Sequence, residues 1–247
     1  MKLKGFCFLL VVLTVTACQP AAPAEPVATT PMPSPTATST PTPSPTPIPP
    51  TATATPLPAM RYFREAFSED SPYWRFLQVN TDAAQAMPEI QSGFLLFDLP
   101  ARNQWVYALY EPFEYADVRI DADVQVRAGT QGTPGLVCRY DKEGGWYEFD
   151  IHADQTYVLL YGQWLAEGVA RYTPLFRAAS EKILPTENEI GLLCEGDTLT
   201  PYINGTALRR QQEKRFGLTS GKIGVAASAF QDAPVAIAYD WIQAALP

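Results

Sequence analysis

Seven consecutive residues, Trp146-Tyr147-Glu148-Phe149-Asp150-Ile151-His152, hold most of the chemically versatile groups that the chain concentrates anywhere. In an extended strand, alternation sends Trp146, Glu148, Asp150 and His152 to one face and Tyr147, Phe149 and Ile151 to the other. The second set suits a core. The first sets an aromatic ring beside two carboxyls and the chain's single histidine, which suits a polar ligand. A ring offers a flat apolar platform for the C–H face of a sugar, while carboxylates and guanidinium groups fix its hydroxyls. Arg139 on the preceding strand and Tyr157 and Tyr161 on the following one extend the same candidate ligand-binding face. An ordinary solvated sheet face would also carry charged residues. A tryptophan among them, however, is costly to expose unless something covers it.

These residues sit in a stretch, 135–161, that reads as three short strands joined by polar turns at 141–145 and 153–155. Further strands are predicted at 63–67, 73–79, 93–97, 104–110, 115–127, 189–195, 198–203, 222–229 and 235–242, with a less regular region at 165–180. The clearest alternates Val118, Ile120, Ala122, Val124 and Val126 inward with Asp121, Asp123, Gln125 and Arg127 outward. Pro-Ala-Arg-Asn, Gly-Thr-Gln-Gly-Thr-Pro, Glu-Gly-Asp and Asn204-Gly205 separate the strands, the last with the chemistry of a type I′ hairpin. No segment sustains a helical period. The expected fold class is all-β, a jelly-roll β-sandwich.

The globular domain is expected at 61–247, because positions 19–60 contain no aromatic residue and fourteen of the 24 prolines. That segment of Pro, Thr, Ala and Ser cannot bury apolar area and is expected to be a disordered, extended stalk. At about 3.1 Å per residue its reach is on the order of 120 Å. Ahead of it, Lys2 and Lys4 precede an apolar run that is short for a bilayer span, and residues 1–17 read as an export signal. The formal charge of −8 becomes −10 once those two lysines are removed, with 16 basic against 26 acidic residues. Such a surface does not suit nucleic acid, and no basic patch argues otherwise. Cys138 and Cys194 lie on the apolar phase of their strands. In an exported protein such an even pair favours a disulfide over two buried thiols.

Val15-Thr16-Ala17-Cys18 resembles a bacterial lipobox. The resemblance implies cleavage before Cys18, acylation of that residue, and a lipid anchor on the outer face of a bacterial membrane, where several acyl chains hold stably. Downstream, Glu65-Ala-Phe67 with Trp74, Asp121-Ala-Asp-Val-Gln-Val and Gly135-Leu-Val-Cys-Arg-Tyr occur in order with Trp146-Tyr-Glu-Phe-Asp-Ile and Asn188-Glu-Ile-Gly-Leu-Leu-Cys-Glu-Gly. Tyr202-Ile-Asn-Gly, Gly221-Lys-Ile-Gly-Val-Ala-Ala and Ala238-Tyr-Asp-Trp-Ile complete the series. Over essentially all of 61–247 this resembles the concanavalin A-like lectin/glucanase superfamily. It is similar in particular to laminin G-like domains and bacterial domains grouped with 3-keto-disaccharide hydrolases.

The resemblance implies a concave sheet that holds carbohydrate or cell-wall polysaccharide. Glu148-Phe-Asp150-Ile-His152 is also similar to the E-x-D-x-(x)-E strand of laminarinase-like retaining glycosidases, in which the first Glu is the nucleophile and the last the acid/base. Here Glu148 and Asp150 match, but His152 stands where the third carboxylate belongs and Asp154 lies beyond it. The expectation is therefore a monomeric surface lipoprotein whose jelly roll binds a glycan or other ligand without turning it over. A hydrolase of disaccharides or β-glucan, with Glu148, Asp150 and His152 as the catalytic candidates, is the first alternative. A structural or protein-binding module is the second. No cofactor is expected: one histidine does not make a zinc site and no loop has calcium-ligand spacing, Ca²⁺ on exposed carboxylates being the alternative.

Overall fold

The structure is a computed structural model that describes residues 58–79, 86–129 and 131–247. The expected export signal, Cys18 and the stalk up to residue 57 lie outside the described residues.

Every element among the described residues is a strand. In chain order they are β1 (Phe63–Glu65), β2 (Trp74–Val79), β3 (Glu89–Gln91), β4 (Phe94–Leu99), β5 (Gln104–Tyr115), β6 (Val118–Ala128), β7 (Gly132–Asp141) and β8 (Gly145–Ile151). There follow β9 (Thr156–Ala166), β10 (Val169–Ala179), β11 (Glu187–Glu195), β12 (Thr198–Ile203), β13 (Thr206–Ala207), β14 (Gln211–Gln212), β15 (Gly221–Ala229) and β16 (Val235–Ala245). They form two antiparallel sheets. One runs β13-β12-β11-β6-β16-β4-β3, with β1 beside β16 and β14 beside β12; the other runs β10-β9-β8-β7-β15-β5-β2. This is the jelly-roll sandwich that the alternation predicts.

The core lies between the sheets. The first contributes Leu95, Phe97, Ile120, Val124, Leu192 and Ile242, and the second Val106, Leu136, Tyr147, Phe149, Leu159 and Val225, all buried. Burying each such side chain stabilises by about 1.5–3 kcal/mol relative to leaving it in water. Two links cross the core. Cys138 of β7 and Cys194 of β11 form the expected disulfide. The Tyr239 hydroxyl of β16 donates to the Ala226 carbonyl at 2.7 Å and accepts from the Gly135 amide at 3.0 Å. Asn204 and Gly205 both have positive φ, as their hairpin requires.

The region 165–180, expected to be irregular, is a full edge strand, β10. Its hydrogen-bond ladder with β9 is broken by a register shift at Pro174/Phe176, where the proline donates nothing. Its side chains matter because the second sheet curls. Tyr172 of β10 and Tyr107 of β5 bring their hydroxyls to 2.8 Å although four strands separate them. Five inter-strand steps would span ~24 Å in a flat sheet, beyond the reach of two tyrosines. The sheet is therefore deeply concave on the face turned away from the core.

Candidate functional site

Strand β8 forms the floor of that concavity, and two glycines opposite it make room for large side chains. Trp146 is registered against Gly162 of β9, and Asp150 against Gly135 of β7. A Cβ at Gly162 would overlap the Trp146 indole, and one at Gly135 would overlap Oδ1 of Asp150. Each side chain lies down across the neighbouring strand because no Cβ stands in its way.

Trp146 is 0 % exposed, not the open platform expected. Its ring meets Tyr140 at 5.7 Å, Trp164 at 5.3 Å, Tyr107 at 5.5 Å and Tyr172 at 6.0 Å, so aromatic groups fill one end of the concave face. Trp146 Nε1–H donates to Oε2 of Glu148 at 2.8 Å, and the Tyr107 hydroxyl donates to the same oxygen at 3.0 Å. With its only proton on Glu148, Tyr107 accepts from Tyr172, giving a chain of donors that ends on the carboxylate.

Glu148 is 2 % exposed and hydrogen-bonds to Asp150, itself buried. Burial raises the pKa of both. Hydrogen bonds from Trp146 and Tyr107 counter part of that rise in Glu148, whereas the negative charge of Glu148 pushes Asp150 further, well above the ordinary aspartate value. A hydrogen bond between two carboxyl groups needs a proton on one of them, and the larger rise at Asp150 favours that residue as its carrier.

Beside this pair opens a cavity of about 790 Å³, within the size range of small-ligand sites. Glu148, Asp150 and His152 line its floor, with Thr133 and Ser228 adding polar groups. Its aromatic wall is Trp105, stacked on Tyr172 at 5.7 Å and 28°, with Phe230 edge-on to Trp105 at 5.4 Å. The ring of Phe230 is 54 % exposed at the mouth. There Arg177 and Asp154 form an exposed ion pair at 3.1 Å, of little energetic weight. Asp154 is held below the usual carboxylate range chiefly by hydrogen bonds from Thr156, then by Arg177. Burial, then Arg177, lowers the pKa of His152 and keeps it neutral. Its Nδ1 lies 3.3 Å from Thr133 Oγ1.

Of the expected site residues, Glu148, Asp150 and His152 come together on the cavity floor, and Trp146 lies behind Glu148 as its support. Three others are turned elsewhere. Tyr161 is paired with Tyr147 and Tyr157 with Ile151, so both tyrosines share the inward phase of β8. Tyr157 packs on Phe149 and Phe176, and Tyr161 stacks on Phe216 at 3.7 Å. Arg139 sits at a bulge with φ of 53°, and its guanidinium is buried against the carbonyls of Ala116 and Leu218. Sequence reasoning missed Trp105, Tyr172 and Phe230. The signal for Trp105 was an aromatic on each phase of β5, with Trp105 and Tyr107 opposed to Tyr110, which marks a strand covered on both faces.

The arrangement offers hydrogen-bonding groups and rings that can orient a polar ligand. A retaining glycosidase needs two carboxyl groups about 5 Å apart across the scissile bond. Here the two on the floor bond to each other, and a neutral imidazole occupies the third position. Among the described residues no group of three or more His, Cys, Asp or Glu is placed to hold a metal ion.

No family model matches the sequence, and no curated protein does. Solved structures do resemble the fold. A Bacillus subtilis protein of unknown function with a galectin-like fold aligns over 74% of this chain and 94% of its own at 13% identity, with a TM-score of 0.55. A mixed linkage glucan GH16 of Bacteroides ovatus, in complex with product, aligns over 74% and 99% at 12% identity and 0.52. The laminarinase catalytic domain of Thermotoga maritima aligns over 74% and 96% at 13% identity and 0.50. At such identities the likeness shows the fold, a jelly roll of the kind found in glucanases and galectin-like proteins.

Proposed function

We propose that the concave cavity binds a carbohydrate without cleaving it. The observation that carries this reading is the pairing of an aromatic wall, Trp105 on Tyr172 with Phe230, against a floor of hydrogen-bonding carboxyls. A pyranose stacks its C–H face on such a wall while its hydroxyls reach the floor. The test is a glycan array and titration of the full chain with soluble β-glucans, read by tryptophan fluorescence. Trp105→Ala should weaken binding at least ~10-fold, about 1.4 kcal/mol, with the fold intact. Binding unchanged by Trp105→Ala, or silence across the array, would reject the site.

One observation favours a hydrolase. Burial and the charge of Glu148 push Asp150 well above the ordinary aspartate value, the direction a general acid needs. Turnover of a bound glycan, abolished by Asp150→Asn with binding retained, would establish that alternative. Binding is proposed to need no cofactor, so chelation of divalent ions should leave it unchanged. We read the whole chain as a bacterial surface lipoprotein, tethered through acylated Cys18 and lifted by the Pro-rich segment. Labelled palmitate should enter the protein and be lost in Cys18→Ser.

A further inference from the structure

We infer that the cavity receives the terminus of a neutral glycan end-on and does not grip the middle of a chain. The inference rests on the carbohydrate reading above and follows from how the concave face is closed. A sheet that binds an internal segment must offer a groove open at both ends, since the chain continues in both directions. On this sheet one end is blocked. Trp146 lies flush on Gly162, with Tyr140 and Trp164 packed around it. The hydroxyls of Tyr107 and Tyr172 then meet at 2.8 Å, joining β5 to β10 across the concavity.

The block is braced rather than loosely draped. Trp146 is fully buried and its Nε1–H is committed to Glu148. The Trp164 Nε1–H donates to the Tyr140 hydroxyl at 2.9 Å. A chain entering past Phe230 therefore meets a dead end at Glu148. Only a terminal sugar, with a hydroxyl where an internal residue has its next glycosidic bond, fits against that floor.

The charge of the floor selects the kind of sugar. The floor sets the buried carboxyl groups of Glu148 and Asp150 side by side, and Arg177, the cation at the mouth, is already paired with Asp154. A uronate or sulfated terminus would bring a further acid group against this acidic floor. Neutral hexose hydroxyls instead donate to the carboxylate.

The test is a neutral-glycan array on which each oligosaccharide is present as the linear chain and as its borohydride-reduced form, and the glucans also as cyclic chains without ends. The full chain is then titrated with a length series of whichever linear glycan it binds. Expected are binding of linear but not cyclic glucan, one protein per chain at every length, and a Kd that varies less than about threefold once the pocket is filled. Loss of binding in the reduced form would assign the reducing end, and retention the other. Capture of a cyclic glucan, or stoichiometry that grows with chain length, would overturn end-on recognition while leaving a sugar site in place. No binding to any glycan would remove both.

Discussion

Glu148 and Asp150 look alike in the sequence, yet their surroundings treat them differently. Glu148 has two donors, Trp146 and Tyr107, aimed at one oxygen. Asp150 has no such donors among the described residues, and burial and the charge of Glu148 raise its pKa the further of the two. With the shared proton on Asp150, Asp150→Asn keeps a donor in its place and should change stability by less than about 1 kcal/mol. Glu148→Gln removes the carboxylate that those donors address and leaves any remaining charge on Asp150; it should cost about 1–3 kcal/mol. Chemical denaturation of both variants near neutral pH checks this, and equal losses would contradict the assignment. The identity of the pair was legible in the alternation of β8, but the donors that tell its two members apart were not. One of them, Tyr107, is 41 residues away in the chain.

At the scale of the strands, register decides which face a residue serves. The face of β8 was read correctly from alternation alone, because apolar Tyr147, Phe149 and Ile151 declare the core. On β9 the same reasoning failed, since nearly every residue is apolar and the phase comes only from the pairing of Trp146 with Gly162. β10 stayed invisible because Pro174 interrupts its pattern and edge strands need no continuous apolar face. Gly162 is the element-scale test of this packing. Gly162→Ala puts a methyl where the Trp146 ring lies, displaces the indole and breaks its bond to Glu148. The expected cost is about 1–3 kcal/mol, with near-ultraviolet circular dichroism changed and glycan binding lost.

On the other sheet, Asp123 of β6 stands directly opposite Glu189 of β11. Burial first, then Glu187, Asp240 and Glu189, raise its pKa from 3.8 to about 6. A folded-state value above the unfolded one means that the folded chain holds the proton more tightly. This contribution is therefore present below pH 3.8 and lost as pH rises through about 6. Asp123→Asn should accordingly raise Tm relative to the parent above pH 6, with the gain shrinking toward pH 4. A gain independent of pH would rule out charge repulsion as the cause.

For the whole molecule, the sandwich itself was the most legible feature, since period-two alternation and turn residues recur along 61–247 and dictate two-layered sheets. The depth of its concavity was not, because curvature arises from packing among strands far apart in sequence. Holding the curved sheet against its partner is the task of the Cys138–Cys194 bridge, which closes a loop of 56 residues between β7 and β11. In the chain-entropy description a loop of that size contributes about 4 kcal/mol by restricting the unfolded chain. For a domain of this length each kcal/mol corresponds to roughly 2–4 °C, so Cys138→Ala with Cys194→Ala should lower Tm by about 8–16 °C. The cavity lies on the face of the second sheet that points away from the bridge. The paired variant should therefore bind glycan with unchanged affinity at temperatures where it remains folded. Scanning calorimetry and titration separate the two effects: a loss of affinity in the folded variant would mean that the bridge also sets the curvature of the site.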